Sequence, residues 1–427
     1  MSSAIMRGAL RMALLSNQAA ATPGVKRSVM SKGMGIPAPS GQHQVGCVDV
    51  MPLCKGDDNG LLFRLYYPTE ATSDSGYHYP PWLPNELYAK GLLCNERLQQ
   101  AVGTRGAIEA FEPLVSVLRG QNIPALYGAP VKTSTSLPVI MFSHGVSGMR
   151  TFCSAICCDL ASHGYLIAAI EHRDHSACYS YTKYKKSSSK ECMDHWITYD
   201  RPPPTPSQED VFRAHQLTIR RKEILLGLDF IHQLDGSGEF ENLLQSDFDF
   251  KQFKGKLDLV RTAMMGHSFG GTTTVTALAD DKRFRVGIAL DTYMMPVEDG
   301  IEDKMEQPLL FINTWNWQWP KNVIKMKRLV DVDHPTDKYP SCQLITLRGS
   351  YHLDQCDIGF VLHRTNWFPT SSDLPAIHAA NMRLCIAFLN RHLWKDSTYP
   401  VKDLDESDTD SSGIVYHGTN LKIRSKL

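Results

Sequence analysis

The 427-residue chain has no CxxC pair, no N-x-S/T acceptor and no uninterrupted apolar run of 18 residues. Ribbon-type zinc sites and thioredoxin-like redox motifs are thereby disfavoured, and neither a membrane-crossing helix nor passage through the secretory route is indicated. The expectation is an intracellular protein. An excess of one charge is also missing: Lys+Arg and Asp+Glu are both 45, and no basic cluster is interleaved with aromatics. Without a basic field to hold phosphates, nucleic acid is not an expected partner. The eleven cysteines are odd in number, and Cys153, Cys157 and Cys158 share one apolar helical stretch, which reads as buried reduced thiols rather than a disulfide framework. There is no oxygen-rich loop of the EF-hand type and no ligand set at metal spacing, so neither a metal nor a cofactor is expected. No internal repeat is present, and nothing fixes an oligomeric state.

What is there can build a large core: 42% of residues are hydrophobic and 21% charged. The length suits one α/β domain with tails. Residues 1–48 lack Asp and Glu but carry Arg7, Arg11, Lys26, Arg27 and Lys32, ahead of a Pro/Gly/Ser stretch from Lys32 to Gly41. Residues 1–45 therefore read as a basic extension, either disordered or a mitochondrial-type presequence. A catalytic domain is assigned to 46–398. Residues 399–427 read as a flexible acidic tail, with Asp403 to Asp410 followed by Ser425-Lys426-Leu427, the tripeptide read by the peroxisomal import receptor. The peroxisome is the expected location, with cytoplasm or mitochondrion as alternatives.

Between the tails, strand and helix patterns alternate. Strands are expected at Leu61–Tyr67, Pro138–Ser143, Tyr165–Ile170, Thr262–Gly266, Val286–Leu290, Leu309–Asn313 and Leu344–Leu347; helices at Arg150–Ser162, Glu209–Leu234, Gly271–Ala279 and His378–His392. Short apolar runs of this kind are buried parallel strands. The fold class is α/β, a mostly parallel central sheet with helices on both faces.

The chemistry enters at Gly266-His267-Ser268-Phe269-Gly270, between the strand TAMMG and the helix-forming GTTTVTALA. A serine on so sharp a strand-to-helix turn is the nucleophile of an α/β-hydrolase elbow, with Gly266 and Gly270 removing side chains that would clash. Such a serine needs a base and an orienting acid, in chain order Ser, acid, His. Asp291 ends the strand VGIAL and is the candidate acid, with Asp331 and Asp333 as alternatives; His352 follows LITLRG and is the candidate base, against His334 and His363. For the oxyanion hole the backbone amide of Phe269 is one expected donor, and that of Val146, in the turn Ser143-His144-Gly145-Val146, the other. His144 is read as shaping that turn, and Glu171-His172-Arg173-Asp174 as a hydrogen-bonded loop supporting the site.

Beyond these single motifs, the chain resembles the platelet-activating-factor acetylhydrolases, the calcium-independent group VII phospholipases of animals. The blocks that carry the resemblance are FRLYYP, WLPNELY, FSHGVSGMRT, DLASHGYLIAAIEHRDHSA, MGHSFGGTT, RFRVGIALD and FIN, spread from Phe63 to Asn313. It differs where the family usually reads FSHGLGAFRT, and in Tyr293, where a tryptophan is usual beside the aspartate. The resemblance implies an α/β-hydrolase fold, Ser268, Asp291 and His352 as triad, and the amides of Val146 and Phe269 as oxyanion hole. The implied reaction is calcium-independent hydrolysis of an acetyl, short or oxidised acyl ester at the second glycerol carbon of a phospholipid. Transient contact with a lipid surface would accompany it, with Trp367, Phe368 and Leu114 to Leu118 as candidate contacts. A carboxylesterase or lipase acting on neutral esters is the alternative within the class, and a non-catalytic binding protein on the same scaffold the alternative outside it.

Overall fold

Unalternating apolar runs such as PVIMF and LLFI satisfy their backbone in a ladder and their side chains on two covered faces when they form internal strands. The computed structural model describes residues 35–54, 60–93, 112–132, 136–185, 192–330, 342–363, 369–394 and 413–422. Its strands are β1 (Gln44–Val50), β2 (Leu62–Thr69), β3 (Leu126–Tyr127), β4 (Leu137–Ser143), β5 (Leu166–Glu171), β6 (Tyr179–Lys185), β7 (Cys192–Thr198), β8 (Leu257–His267), β9 (Phe284–Leu290), β10 (Leu309–Thr314), β11 (Cys342–Leu347) and β12 (Val415–His417). Ten of them form one sheet in the order β12-β11-β10-β9-β8-β4-β5-β2-β1-β3; β6 and β7 pair as a separate hairpin. The block from β5 to β11 is parallel, while β2 joins β5, β1 joins β2 and β12 joins β11 antiparallel.

The helices are α1 (Glu86–Leu93), α2 (Glu112–Arg119), α3 (Ser154–Ser162), α4 (Pro206–Gly236), α5 (Phe269–Asp280), α6 (Pro320–Val330), α7 (Asp357–Leu362) and α8 (Leu374–Leu393). Because side chains alternate across a strand, β4 sends Ile140 and Phe142 into one core and Val139 and Met141 into the other. The first core is closed by Ile156 and Leu160 of α3 and Phe388 of α8, the second by Leu228 and Ile231 of α4, Leu278 of α5 and Met326 of α6. This is the expected sheet with helices on both faces. Its parallel strands end together, which places β4, β8, β9 and β11 with their adjoining loops at one rim, where such folds bind ligands.

Several elements depart from expectation. Helix α3 starts at Ser154, not Arg150, because the Asp357 carboxylate accepts from the amides of Ser154 and Ala155 at 2.8 and 2.9 Å and so caps it from over two hundred residues away. The Arg150 guanidinium meanwhile pairs with Asp49 and Glu171. Of the expected tail, residues 413–422 are folded: β12 covers β11, and Gly418 N–H donates to Leu344 O at 2.7 Å. Nor does the folded part wait for residue 46, since Ser40 donates from both N and Oγ to Asp159 Oδ1. Val115 and Leu118 of the expected lipid-contact segment are buried in the core, so this segment is packing. Trp367, Phe368, Asp331, Asp333, His334 and Ser425-Lys426-Leu427 lie outside the described residues. The nine described free cysteines are buried, and burial pushes the thiols of Cys157 and Cys158 well above their ordinary range. Among the described residues no helix is long and apolar enough to cross a membrane.

Candidate active site

Strand β8 ends at His267 and α5 begins at Phe269, so Ser268 alone makes the turn, with φ 59° and ψ −118°. A side-chain-bearing residue there is strained, and the surroundings must hold it. They do so from both sides: Ser268 N–H donates to Leu290 O at 2.8 Å, and Gly271 N–H donates to Ser268 O at 3.0 Å. A methyl group on Gly266 would strike the Gly270 carbonyl, and one on Gly270 the Ser143 carbonyl, so both positions of the elbow require glycine.

Asp291 comes directly after β9, itself at φ 45° and fully buried. Its Oδ1 accepts from Thr314 N at 2.8 Å and its Oδ2 from Thr314 Oγ1 at 2.7 Å and His352 Nδ1 at 2.6 Å. Burial pushes its carboxyl up to about 7, against the Thr314 bonds that favour the ionised form. With Nδ1 committed as donor, His352 Nε2 is the acceptor that faces Ser268 Oγ at 3.1 Å. Oγ, imidazole and carboxylate thus form one relay assembled from the ends of β8, β9 and β11. Such a relay can draw the proton from a serine hydroxyl while a bond forms at Oγ. His363, the described competitor, bonds Thr370 Oγ1 instead.

The relay has neighbours that motif reading did not anticipate. The Trp317 ring stacks on the His352 imidazole, centroids 3.9 Å apart and planes at 23°. His267 lies 4.6 Å away at 34°, its Nε2 donating to His352 O at 3.1 Å. Burial, with His352 beside it, pushes His267 down to about 3, so it stays neutral. Sequence signals for these existed, in the unusual run Trp315-Asn316-Trp317-Gln318-Trp319 after β10 and in Thr314 at that strand's end.

Phe269 opens α5, where the first amides have no carbonyl one turn back to bond. The loop after β4 runs against the nucleophile: a Cβ on Gly145 would sit 2.9 Å from Ser268 Cβ. Val146, next in that loop, packs beside Leu217, Phe269 and Tyr293. The loop is held in place by its own polar network. His144 Nδ1 donates to Gly145 O at 2.7 Å while its Nε2 accepts from His172 N at 3.1 Å, which is a structural histidine. Arg220 donates to His144 O at 2.7 Å and pairs with Asp174 at 2.8 Å. His172 links Ser143 Oγ, at 2.8 Å, to Glu223 Oε2, at 2.7 Å, and Arg173 pairs with Glu223 at 2.9 Å. The Glu171–Asp174 stretch is therefore the supporting loop its sequence suggested, although Glu223 and Arg220, contributed by α4, were not foreseen.

A family model described as platelet-activating factor acetylhydrolase, isoform II, matches residues 28–412. The chain belongs to this family. A platelet-activating factor acetylhydrolase of Gallus gallus is 36% identical over 408 residues, covering 92% of this chain and 91% of that protein. One of Canis lupus familiaris is 34% identical over 401 residues, 92% of this chain and 84% of its relative. A putative phospholipase A2 of Schizosaccharomyces pombe is 29% identical over 282 residues, 60% of this chain and 61% of that one. The fold matches a solved ferulic acid esterase from Streptomyces cinnamoneus with a TM-score of 0.61 over 90% of this chain and 99% of that chain, at 18% identity. The architecture of this acetylhydrolase-family member is accordingly the α/β-hydrolase fold. The family match begins at residue 28, inside the stretch expected to be a separate extension, and stops before β12.

Proposed function

We propose that this chain is a serine esterase, a platelet-activating factor acetylhydrolase, and that it removes the acetyl or short acyl group from the second glycerol carbon of a phospholipid. The observation that carries this reading is the Ser268–His352–Asp291 relay at the tip of a strained elbow, in a chain of this family. Ser268 Oγ attacks the ester carbonyl as His352 Nε2 takes its proton. The carbonyl oxygen gains the negative charge and accepts from the amides of Val146 and Phe269. His352 then returns the proton to the departing lyso-phospholipid oxygen, leaving an acyl-Ser268. Water, deprotonated by the same imidazole, attacks that acyl group and restores the hydroxyl. Asp291 keeps Nδ1–H pointed inward and stabilises the imidazolium.

The test is hydrolysis of phosphatidylcholines of graded second-position acyl length beside neutral glycerides of matched chain. The expected outcome is cleavage that falls with acyl length, acetyl and oxidatively truncated chains being preferred. Preference for the glycerides would make the protein a general carboxylesterase instead. Peroxisomal residence is proposed from Ser425-Lys426-Leu427 alone. Imaging the full-length protein beside a version lacking Leu427 tests it, and an unchanged distribution would return the protein to the cytoplasm or mitochondrion.

A further inference from the structure

The segment from Trp315 to Trp319 is tied on both sides. Toward the base, Trp315 N–H donates to Ser350 Oγ at 3.1 Å and Asn316 Nδ2 to Ser350 O at 3.1 Å, two residues before His352. Toward the sheet edge, Asn420 Nδ2 donates to Trp315 O at 2.7 Å, Thr419 Oγ1 to Gln318 Oε1 at 2.6 Å, and the Tyr416 ring meets Trp315 edge-on at 6.1 Å. Trp317 therefore has a fixed backbone under it, and its ring lies nearly parallel to the imidazole at stacking distance. The His267 ring lies beside that imidazole at 4.6 Å and a tilt of 34°, so Trp317 is the ring that stacks on it.

An imidazole rotates about its side-chain bonds unless something blocks it, and the Nδ1 bond to Asp291 fixes one point only. We propose that Trp317 is a positioning residue for the base: its indole, braced by the segment Tyr416–Asn420, keeps His352 Nε2 aimed at Ser268 and stabilises the imidazolium formed during ester cleavage. The inference rests on the proposed function, in which His352 is that base. A tryptophan face is the strongest of the aromatic partners for a cation, so its contribution appears only once the ring is protonated and the charge needs stabilising. The other groups beside the imidazole are Asp291 from the end of β9 and His267 from β8; Asp354, two residues on in the same turn, has its carboxyl pushed up to about 7 by burial. Asp354 is already occupied by the amides of Tyr351 and Ser371 at 2.8 and 3.0 Å. His267 stays neutral. Trp317 is then the aromatic face available to the imidazolium without adding a competing charge.

The experiment measures kcat and KM on a soluble short-acyl ester across the acid limb of the pH profile, for wild type, Trp317→Leu and Trp317→Phe. Trp317→Leu should lower kcat about tenfold with KM nearly unchanged, and move the acid limb about half a unit to lower pH, because the protonated base has lost its stabilising face. Trp317→Phe should recover most of both. Unchanged kcat and acid limb in Trp317→Leu would overturn the proposal, as would equal losses in the two variants with equal drops in melting temperature, which mark simple packing. If Trp317→Leu does not fold, Trp317→Phe decides: a smaller shift of the limb in the same direction supports the proposal, and no shift rejects it. Failure of the underlying reading is seen separately, as hydrolysis retained by Ser268→Ala.

Discussion

Among the described residues, two serine–histidine–carboxylate relays can be compared. In one, Ser268, His352 and Asp291 are linked at 3.1 and 2.6 Å; in the other, Ser143, His172 and Glu223 are linked at 2.8 and 2.7 Å. By distance the second is at least as well made. It differs in surroundings. Ser143 sits in the buried strand β4 and His172 is wholly buried, whereas Ser268 stands on a strained turn and the His352 side chain keeps 12% of its surface exposed. Arg173 and Arg220 surround the buried relay, and burial together with Arg220 pushes His172 well below its ordinary range, so it remains a neutral strut. Connectivity alone therefore does not make a hydrolytic site. In the function proposed above, access, a strained nucleophile and amides facing the carbonyl set the first relay apart, while in the second the same three residue types brace a loop.

Substitutions can break this comparison at either relay. Ser268→Ala should lower hydrolysis by about a thousandfold or more with the fold intact, while Ser143→Ala should stay within about threefold of wild type, both read as kcat/KM on a short-acyl phospholipid. Asp291→Asn should cost roughly a thousandfold, since the amide cannot both accept from Thr314 and hold the Nδ1–H tautomer. Acid should separate activity from stability. Asp291, raised to about 7 by burial, shares its 2.6 Å hydrogen bond with His352, so the two titrate as a pair, and the rate should fall as that pair takes up a proton and the base is lost. Because the folded pKa of Asp291 lies above the unfolded one, its protonation strengthens the fold rather than weakening it. Asp174 has the opposite sign: burial opposes its ionisation, but Arg220 holds it below the usual carboxylate range, so its contribution is present above the unfolded pKa and disappears only as pH drops through the folded one. Circular dichroism and rate measured together should therefore show activity lost reversibly around pH 7, well before unfolding.

Smaller effects belong to the buried relay. Glu223→Gln removes the carboxylate that pairs with Arg173 and should cost about 3 kcal/mol in a denaturant titration, with a lesser loss of rate through the loop that carries Val146. Ser143→Ala removes the donor to His172 Nε2 and should cost about 1–2 kcal/mol by the same measurement. A thousandfold rate loss from Ser143→Ala, with stability unchanged, would reverse the roles assigned to the two relays.

The parallel block and the elbow were legible because in both cases the signal is local. Five apolar residues in a row define an internal strand, and the residues just past its end lie at the rim where such a fold holds its chemistry. Ser268, Asp291 and His352 stand out for that reason. The supporting shell was not legible in this way. Glu223 lies mid-helix in α4 and looks like any solvated acid until packing puts it under His172. Thr314 is a strand terminus whose hydroxyl gains meaning only beside Asp291. Trp317 meets His352 across thirty-five positions of sequence, and Asp357 caps α3 across two hundred. Short β12, three half-buried residues after an acidic run, has too little pattern to be told from a tail, and the pairing that makes it a strand belongs to β11.

That last strand also matters for how the molecule keeps to itself. Every residue of β11 is buried, and CQLITL is apolar enough, and free enough of charge, to pair with any strand offered to it. Strand β12 lies along that ladder, antiparallel, from Ile345 to Leu347. A chain shortened to remove residues 413–422 would present the edge bare, and it should come out of expression as aggregate, or associate edge to edge as its concentration rises. A protein truncated there to simplify its handling would be harder to keep in solution than the full one.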